Sequence, residues 1–227
     1  MIERFLRAKH WQLFLIGVAA PFILQAVMSG VMAGSMVSMA ATSASDGQSP
    51  VVFSGSMIAM MIVYFVLAMI SFLFIFGWVY SIGIGLRKYI PEGAQRRTGF
   101  FKFSIYYPLI YFFFFFIWYF LIVKEMIASS SYGEPPAGLD NIFGYFAIIV
   151  PFHFFAVVCF VYGWRYAART IKSVELRRRA RVGDYLGYFF MVWFFPIGIW
   201  ILQPRINAII VSKEERLAMG DEEILDA

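Results

Sequence analysis

Few side chains in this chain of 227 residues could do chemistry, and His153 is the most conspicuous of them. It lies in Pro151-Phe-His-Phe-Phe, inside a long run that contains no Asp, Glu, Lys or Arg. An ionisable side chain in such a run is costly to bury and therefore suggests a function. The alternative is a neutral imidazole that is hydrogen-bonded to a Tyr, a Ser or a carbonyl of a neighbouring helix. His10, the other histidine, precedes the first apolar run, so the two cannot clamp a haem within one chain.

Methionines offer a second kind of site, one for a soft metal. Neutral thioether sulfur suits Cu(I), and a spacing of four residues places sulfurs one helical turn apart. Methionine also fills gaps in apolar packing, so a purely structural role is the alternative. The candidate ligands lie in and between the first two apolar runs: Met32, Met36, Met39, Met57, Met60 and Met61.

Small residues form a separate face of the first apolar run. Gly30, Gly34 and Ser38 recur every four residues, roughly opposite the methionines. Small side chains at this spacing let a second helix approach closely. The pattern predicts a helix-packing face.

The motifs of soluble enzymes are absent from the sequence. It contains no HExxH, no Walker-type glycine loop, no dinucleotide fingerprint and no paired Cys motif. Cys159 is the single cysteine, which excludes an internal disulfide. A non-enzymatic role is therefore favoured over an enzymatic one, and any cofactor stays unknown.

The elements that must position these residues are long apolar helices. The chain is 61% hydrophobic and 15% charged, against about 25% charged in soluble domains. A helix needs about 20 apolar residues to cross about 30 Å of hydrocarbon. Four uncharged runs meet this length, and they predict an all-α integral membrane protein with four transmembrane helices, at residues 11–37, 57–86, 103–123 and 142–164.

The positions of Lys and Arg predict the orientation. Of the 19 basic residues, three lie before the first run, five between the second and third, and seven in residues 165–181. Positively charged segments stay on the cytoplasmic side. The N-terminus is therefore expected inside, with residues 1–182 forming a four-helix bundle whose fourth helix carries a basic extension.

A fifth hydrophobic stretch, residues 185–202, is harder to interpret. Its length could just span a membrane, but Pro196 and Gly198 interrupt its middle. We expect residues 183–212 to form a proline-broken re-entrant or interfacial element, with a fifth span as the alternative and residues 213–227 as an acidic tail. The residues that favour an interfacial position are Trp193, Pro196, Trp200, Pro204 and Arg205.

The strongest charged feature is the basic run just before Gly183. Such a run fixes topology and contacts anionic lipid head groups, or it docks an acidic partner. The net charge is +5, but the basic residues lie beside apolar stretches and form no face for nucleic acid. No nucleic-acid partner is therefore expected. The candidate docking residues are Arg177, Arg178, Arg179 and Arg181.

Several segments carry a resemblance to a group of small membrane proteins of Bacteroidota. They are Tyr80-Ser-Ile-Gly, Ile90-Pro-Glu-Gly, Pro151-Phe-His, Lys172-Ser-Val-Glu-Leu and, most specifically, Trp193-Phe-Phe-Pro-Ile-Gly-Ile-Trp-Ile-Leu-Gln-Pro-Arg-Ile-Asn. The resemblance covers about residues 75–207. It implies a bacterial inner membrane and transfers no activity and no catalytic residue.

Three functional hypotheses follow from these patterns. The leading one is a non-enzymatic accessory or assembly subunit of a larger inner-membrane complex, with other membrane subunits or a second copy as partners. The second is a small oligomeric channel or carrier, for example for Cu(I). The third is an intramembrane cofactor or enzyme subunit that uses His153.

Overall fold

The computed structural model describes residues 2–46, 55–132 and 142–218, and the regular structure within these ranges is entirely helical. A π-helical turn, Leu15–Ala19, joins α2 to α3, and two short 3₁₀ turns, Leu86–Tyr89 and Glu92–Ala94, follow α4. The α-helices are α1 (Ile2–Arg7), α2 (His10–Phe14), α3 (Ala20–Asp46), α4 (Gly55–Gly85), α5 (Gly99–Tyr132), α6 (Ile142–Leu176), α7 (Val182–Trp193) and α8 (Phe195–Ala218).

Five helical stretches in the described part are long and apolar enough to cross a membrane. Four of them, His10–Ser35, Ala59–Tyr89, Gly99–Glu125 and Gly144–Leu176, overlap the four predicted runs. The all-α prediction and the prediction of membrane helices are thus confirmed. The fifth, Phe195–Glu215, begins ten residues later than the predicted hydrophobic stretch and ends beyond it.

The widened turn between α2 and α3 has a local cause in Pro21. Proline has no N–H, so it cannot donate to the carbonyl four residues earlier in a helix. The chain relieves this defect with a π-turn, in which the Ala20 N–H donates to the Leu15 carbonyl. Gly17 lies in that turn, where an added Cβ would meet the rings of Phe74 and Phe195. The small residue lets α4 and α8 pack closely here.

The break in the fifth hydrophobic stretch lies at Phe194 and not at Pro196, which corrects the predicted proline break. Pro196 is the second residue of α8, where a helical N–H has no partner in any case, so proline costs little. The helix then continues through Gly198 and Pro204. At Gly198 an added Cβ would overlap the Met191 carbonyl, because the first turn of α8 folds directly against the last turns of α7.

The two helices form a hairpin that enters and leaves at one end of the bundle. α7 runs antiparallel to α6: Trp193 contacts Trp164, while near its start the Ala180 N–H donates to the Ser173 hydroxyl. α8 runs back, from Phe195 beside Phe74 to Glu214, which forms an ion pair with Arg7 at 2.6 Å.

The turn of this hairpin lies at mid-bundle. Phe74, its neighbour on α4, is eleven residues before Gly85, or about 16 Å from the end of α4. The N-terminus and the end of α8 therefore lie at the same end of the molecule, which we call the terminal end. α8 extends to Ala218, so the predicted acidic tail begins as helix, and residues 219–227 lie outside the described part.

The terminal end contains the closely packed core. In Phe195–Glu215, 39% of the most apolar 18 residues are buried. In the other four apolar stretches of the described part the share is only 6–11%. Toward the opposite end the helices expose large apolar side chains, which suits contact with lipid or with another protein. The core is built mainly from Leu6, Leu13, Trp78, Ile82, Leu86, Phe101, Ala167, Ile171, Tyr185, Val192, Ile199, Leu202 and Ile206.

Gln203 is a fully buried amide at the centre of this core. Its oxygen accepts a hydrogen bond from the Trp78 indole N–H at 2.9 Å. Its nitrogen lies 3.0 Å from each of the Phe5, Leu6 and Ala8 carbonyl oxygens. These carbonyls close α1 and have no partners within that short helix. Gln203 thus fastens the N-terminal helix to α4 and α8.

A charged cap starts α7. α6 ends at Leu176, and Arg177 has a positive φ of 49°, so the basic extension predicted for residues 165–181 is helical only up to residue 176. The Asp184 carboxylate accepts from the Arg181 backbone N–H at 2.8 Å and from the Arg178 guanidinium at 3.1 Å. The hydrogen bond from the Arg181 N–H, followed by that from Arg178, lowers the pKa of Asp184 below its ordinary value.

We expect Gln203→Met to destabilise the terminal end. Methionine keeps the length of the side chain but leaves the Trp78 N–H and the Phe5 and Leu6 carbonyls without this partner, at about 1–3 kcal/mol for each buried group. The Ala8 carbonyl still accepts from Asn207. The melting temperature in detergent should fall, and protease should cleave near residue 8. Gln25→Met is the matched control, because Gln25 lines an open groove. Equal melting temperatures for the two variants would contradict this role.

We expect the stability difference between the wild type and Asp184→Asn to depend on pH. Because the pKa of Asp184 is lowered in the folded state, its contribution is complete above the unfolded pKa, near about pH 4. It is lost as the pH falls through the lowered folded value. The variant should therefore melt below the wild type at pH 7, and the gap should narrow as the pH falls below about 4. A difference in melting temperature that does not change with pH would show that the charge of Asp184 does not contribute to stability.

Candidate functional site

His153 lies on the outer surface of α6 with a tyrosine as its polar neighbour. Its Nδ1 is 3.4 Å from the Tyr111 hydroxyl on α5. Its ring also contacts the rings of Tyr111 and Phe112, with centroids 5.9 and 6.1 Å away. A contact with a tyrosine of a neighbouring helix is what the structural alternative predicts for this histidine. The described residues contain no group of three His, Cys, Asp or Glu that could hold a metal ion.

Only part of the predicted methionine site can be located. Met32 and Met60 are half-buried, and Met61 lines a groove between helices. The side chains of Met36, Met39 and Met57 lie outside the part that the structure describes. The soft-metal site therefore stays a prediction.

An apolar groove lies beside Met61. It has a volume of about 500 Å³ and lies between α3, α4 and α5. Its polar groups belong to Gln25, Tyr64 and Tyr119, while Phe65, Phe116 and neighbouring residues make the walls apolar. The Tyr64 hydroxyl donates to the Gln25 carbonyl at 2.9 Å and contacts Ser29, which joins α3 to α4. Such a groove can hold an apolar group but offers little for catalysis.

The small-residue face of α3 points away from the rest of the described chain. Gln25 and Ser29 mark the side of α3 that contacts α4. At 100° per residue, Gly30 and Gly34 are rotated about 140° and 180° from Gln25. Both glycines are exposed, and nothing lies within 4 Å of an added Cβ at either one. The Ser38 hydroxyl donates to the Ser35 carbonyl. The predicted packing face is thus left open by the described helices.

A polar network joins α6, α7 and α8 at the terminal end. The Tyr188 hydroxyl donates to Glu175, whose carboxylate lies 2.8 Å from Lys172 Nζ. Arg205 donates to the same tyrosine hydroxyl, so this residue, which was predicted to be interfacial, connects α8 to α7. Burial, followed by the hydrogen bond to Glu175, raises the pKa of Tyr188. The tyrosine therefore stays neutral and donates a hydrogen bond to the carboxylate.

The other predicted residues of the fifth stretch have structural contacts of their own. Trp193 packs on Trp164 with ring centroids 4.9 Å apart. Trp200 packs on His10 and Phe14, at 4.7 and 5.5 Å. Pro204 is exposed inside α8. The two tryptophans thus serve the packing of the hairpin.

The predicted basic docking run is partly engaged within the chain. Arg178 is paired with Asp184, and Arg177 forms the left-handed turn after α6. Arg179 and Arg181 are exposed. Docking of lipid or of an acidic partner at this run stays a prediction.

Comparisons with known proteins leave this site to be interpreted from its own geometry. No protein-family model, no curated protein and no solved structure matches the chain.

Proposed function

We propose that this protein is a non-enzymatic accessory or assembly subunit of a larger membrane complex and that it binds a partner helix through α3. The observation that carries the proposal is the open face at Gly30 and Gly34. In hydrocarbon, helices associate through close packing of small residues, because lipid removes the hydrophobic drive that acts in water. A helix that uses this face within its own chain would not be free to bind another protein.

The proposed arrangement in the membrane has four spans and a re-entrant hairpin. The N-terminus lies in the cytoplasm, as the distribution of basic residues favours. The ion pair between Arg7 and Glu214 supports a hairpin whose ends are both on that side. The resemblance to proteins of Bacteroidota supports the bacterial inner membrane as the location.

The two alternative functions have weaker geometric support. A cofactor site at His153 would have to replace contacts that Tyr111 and Phe112 already provide. A soft-metal carrier would need several thioether sulfurs to converge on one site. Of the candidate methionines whose side chains the structure describes, Met61 alone is placed at the apolar groove between α3, α4 and α5. The accessory role requires no such rearrangement.

We expect the double variant Gly30→Leu and Gly34→Leu to lose its partner while still inserting into the membrane. Two leucines hold a partner helix away from the α3 backbone, whereas an added Cβ at either position has no neighbour within 4 Å in the described part of the protein. The measurement is mass spectrometry of proteins retained at stoichiometric levels after gentle detergent extraction of the tagged protein from its native membranes.

Gly144→Leu is the matched control, because Gly144 is an exposed glycine of α6 that also has open space around an added Cβ. It should retain the partner. A wild-type protein that purifies alone, or a double variant that keeps its partner, would overturn the proposal.

We expect cysteines at positions 3 and 215 to react with a membrane-impermeant maleimide only after the membrane is opened. Cys159 is buried and is replaced by Ala to remove background. The test variants are Glu3→Cys and Glu215→Cys, and the reference for the opposite side is Ala41→Cys on α3. Labelling of Glu215→Cys together with Ala41→Cys in intact spheroplasts would mean that α8 spans the membrane.

A further inference from the structure

A small cleft at the terminal end brings together two arginines of the segment between α4 and α5 and one arginine of α6. Arg87 comes from the 3₁₀ turn after α4, Arg96 from the loop before α5, and Arg169 from α6. The remaining wall consists of Ile90, Ala94, Tyr166, Thr170 and Ser173. The cleft is separate from the α3 face, so this inference does not depend on the proposed function.

The arginines carry positive charge that the described part of the chain does not balance. Among the described residues, the ion pairs involve Arg7, Lys172 and Arg178, and no carboxylate lies within 4 Å of a cationic nitrogen of Arg87, Arg96 or Arg169. Arg169 lines the same cleft as Arg87 and Arg96, and Arg165 lies one helical turn before it on α6. Like charges held close together in a partly dehydrated site favour the binding of an anion.

Unused hydrogen-bond donors point to the same ligand class. The Nε atoms of Arg87 and Arg169 are buried and have no hydrogen-bond partner among the described residues. A guanidinium presents Nε–H and Nη–H as a planar fork that matches two oxygens of a phosphate. The Ser173 hydroxyl accepts from the Ala180 N–H, which leaves its own proton able to donate.

The cleft is held in shape by the fold around it. Ile90 is buried, and its carbonyl accepts from the Gln95 side chain at 3.1 Å, which fixes the loop that carries Arg96. Tyr166 stacks on Phe101 with ring centroids 4.2 Å apart. The enclosed space is about 20 Å³, close to that of one water molecule. A phosphate would therefore sit at the mouth and direct an oxygen inward.

We propose that Arg87, Arg96 and Arg169 bind the phosphate of an anionic phospholipid head group. The position of the cleft selects a lipid over a soluble phosphate compound. Arg87 lies at the end of the apolar stretch Ala59–Tyr89, and Arg169 lies seven residues before the end of Gly144–Leu176. Both are thus placed where apolar helices leave the hydrocarbon and head groups begin. Anionic lipids are held by basic pockets between helices at this level.

The test measures lipid binding to the delipidated full-length protein in detergent by native mass spectrometry. The probes are phosphatidylglycerol, phosphatidylcholine and inorganic phosphate. The wild type should retain one phosphatidylglycerol molecule in preference to phosphatidylcholine. The double variant Arg96→Gln and Arg169→Gln should bind it about tenfold more weakly, as expected when a charge-assisted hydrogen bond is lost.

The matched control is Arg97→Gln with Lys102→Gln, which removes two exposed charges from the same region and should change the affinity less than about twofold. If the double glutamine variant does not fold, Arg169→Lys keeps the charge and loses the fork, and it should still weaken binding.

Three results would overturn the proposal. Equal losses of phosphatidylglycerol affinity in the test and control variants would mean that the lipid responds to overall surface charge and not to the cleft. Full displacement of the lipid by millimolar inorganic phosphate would assign the cleft to free phosphate. Equal retention of the two lipids by the wild type would show that the cleft does not select an anionic head group.

Discussion

The amide of Gln203 is the contact on which the packed end of this protein depends. A neutral polar group in a core is stable only when its donors and acceptors are satisfied, and this one has partners on α1 and α4. Gln203 on α8 thereby joins α1 and α4, which are far apart in the sequence. The network around Tyr188 does the same on the other side of the hairpin, where Glu175, Lys172 and Arg205 connect α6 with α8. These hydrogen bonds lie on both sides of the hairpin, and the stretch Phe195–Glu215 in α8 is the most buried of the five apolar stretches in the described part.

The opposite half of the described bundle follows a different physical logic. In lipid an exposed Phe or Ile costs nothing, so the helices there do not need to close on one another. Long helices such as α5 are apolar all round, and the groove beside Tyr64 stays open between them. Specific association in this half must come from shape and not from apolar area. The glycine face of α3 is therefore the part of that half with the features of a binding surface.

The sequence predicts the membrane helices well and the polar contacts poorly, for physical reasons that particular residues illustrate. A span is a local property, because hydrocarbon thickness and the cost of charge fix its length and composition. The break at Phe194 involves contacts between helices, which periodicity does not predict. Gly198 on α8 fits against Met191 on α7, and Trp193 packs against Trp164 on α6. A proline in an apolar stretch predicts a break, but it interrupts a helix only beyond the first turn, and Pro196 lies within the first turn of α8. For His153 the sequence predicts the type of partner, a tyrosine among others, but not that the partner is Tyr111. Arg87, Arg96 and Arg169 have no common motif, and only the fold brings them together.

The separation of Gln203 from its partners also sets an order of events during synthesis. Gln203 lies 198 positions after Phe5, whose carbonyl it bonds. Ribosomes add about 5–20 residues per second, so α1 waits roughly 10–40 s for the residue that completes its C-terminal end. The hydrogen bonds that close the first helix are thus among the last to form, although its packing on α4 needs no residue beyond Gly85. A chain that terminates before residue 203 would keep the packing of Phe5 on Phe74 but leave the last carbonyls of α1 without these hydrogen bonds.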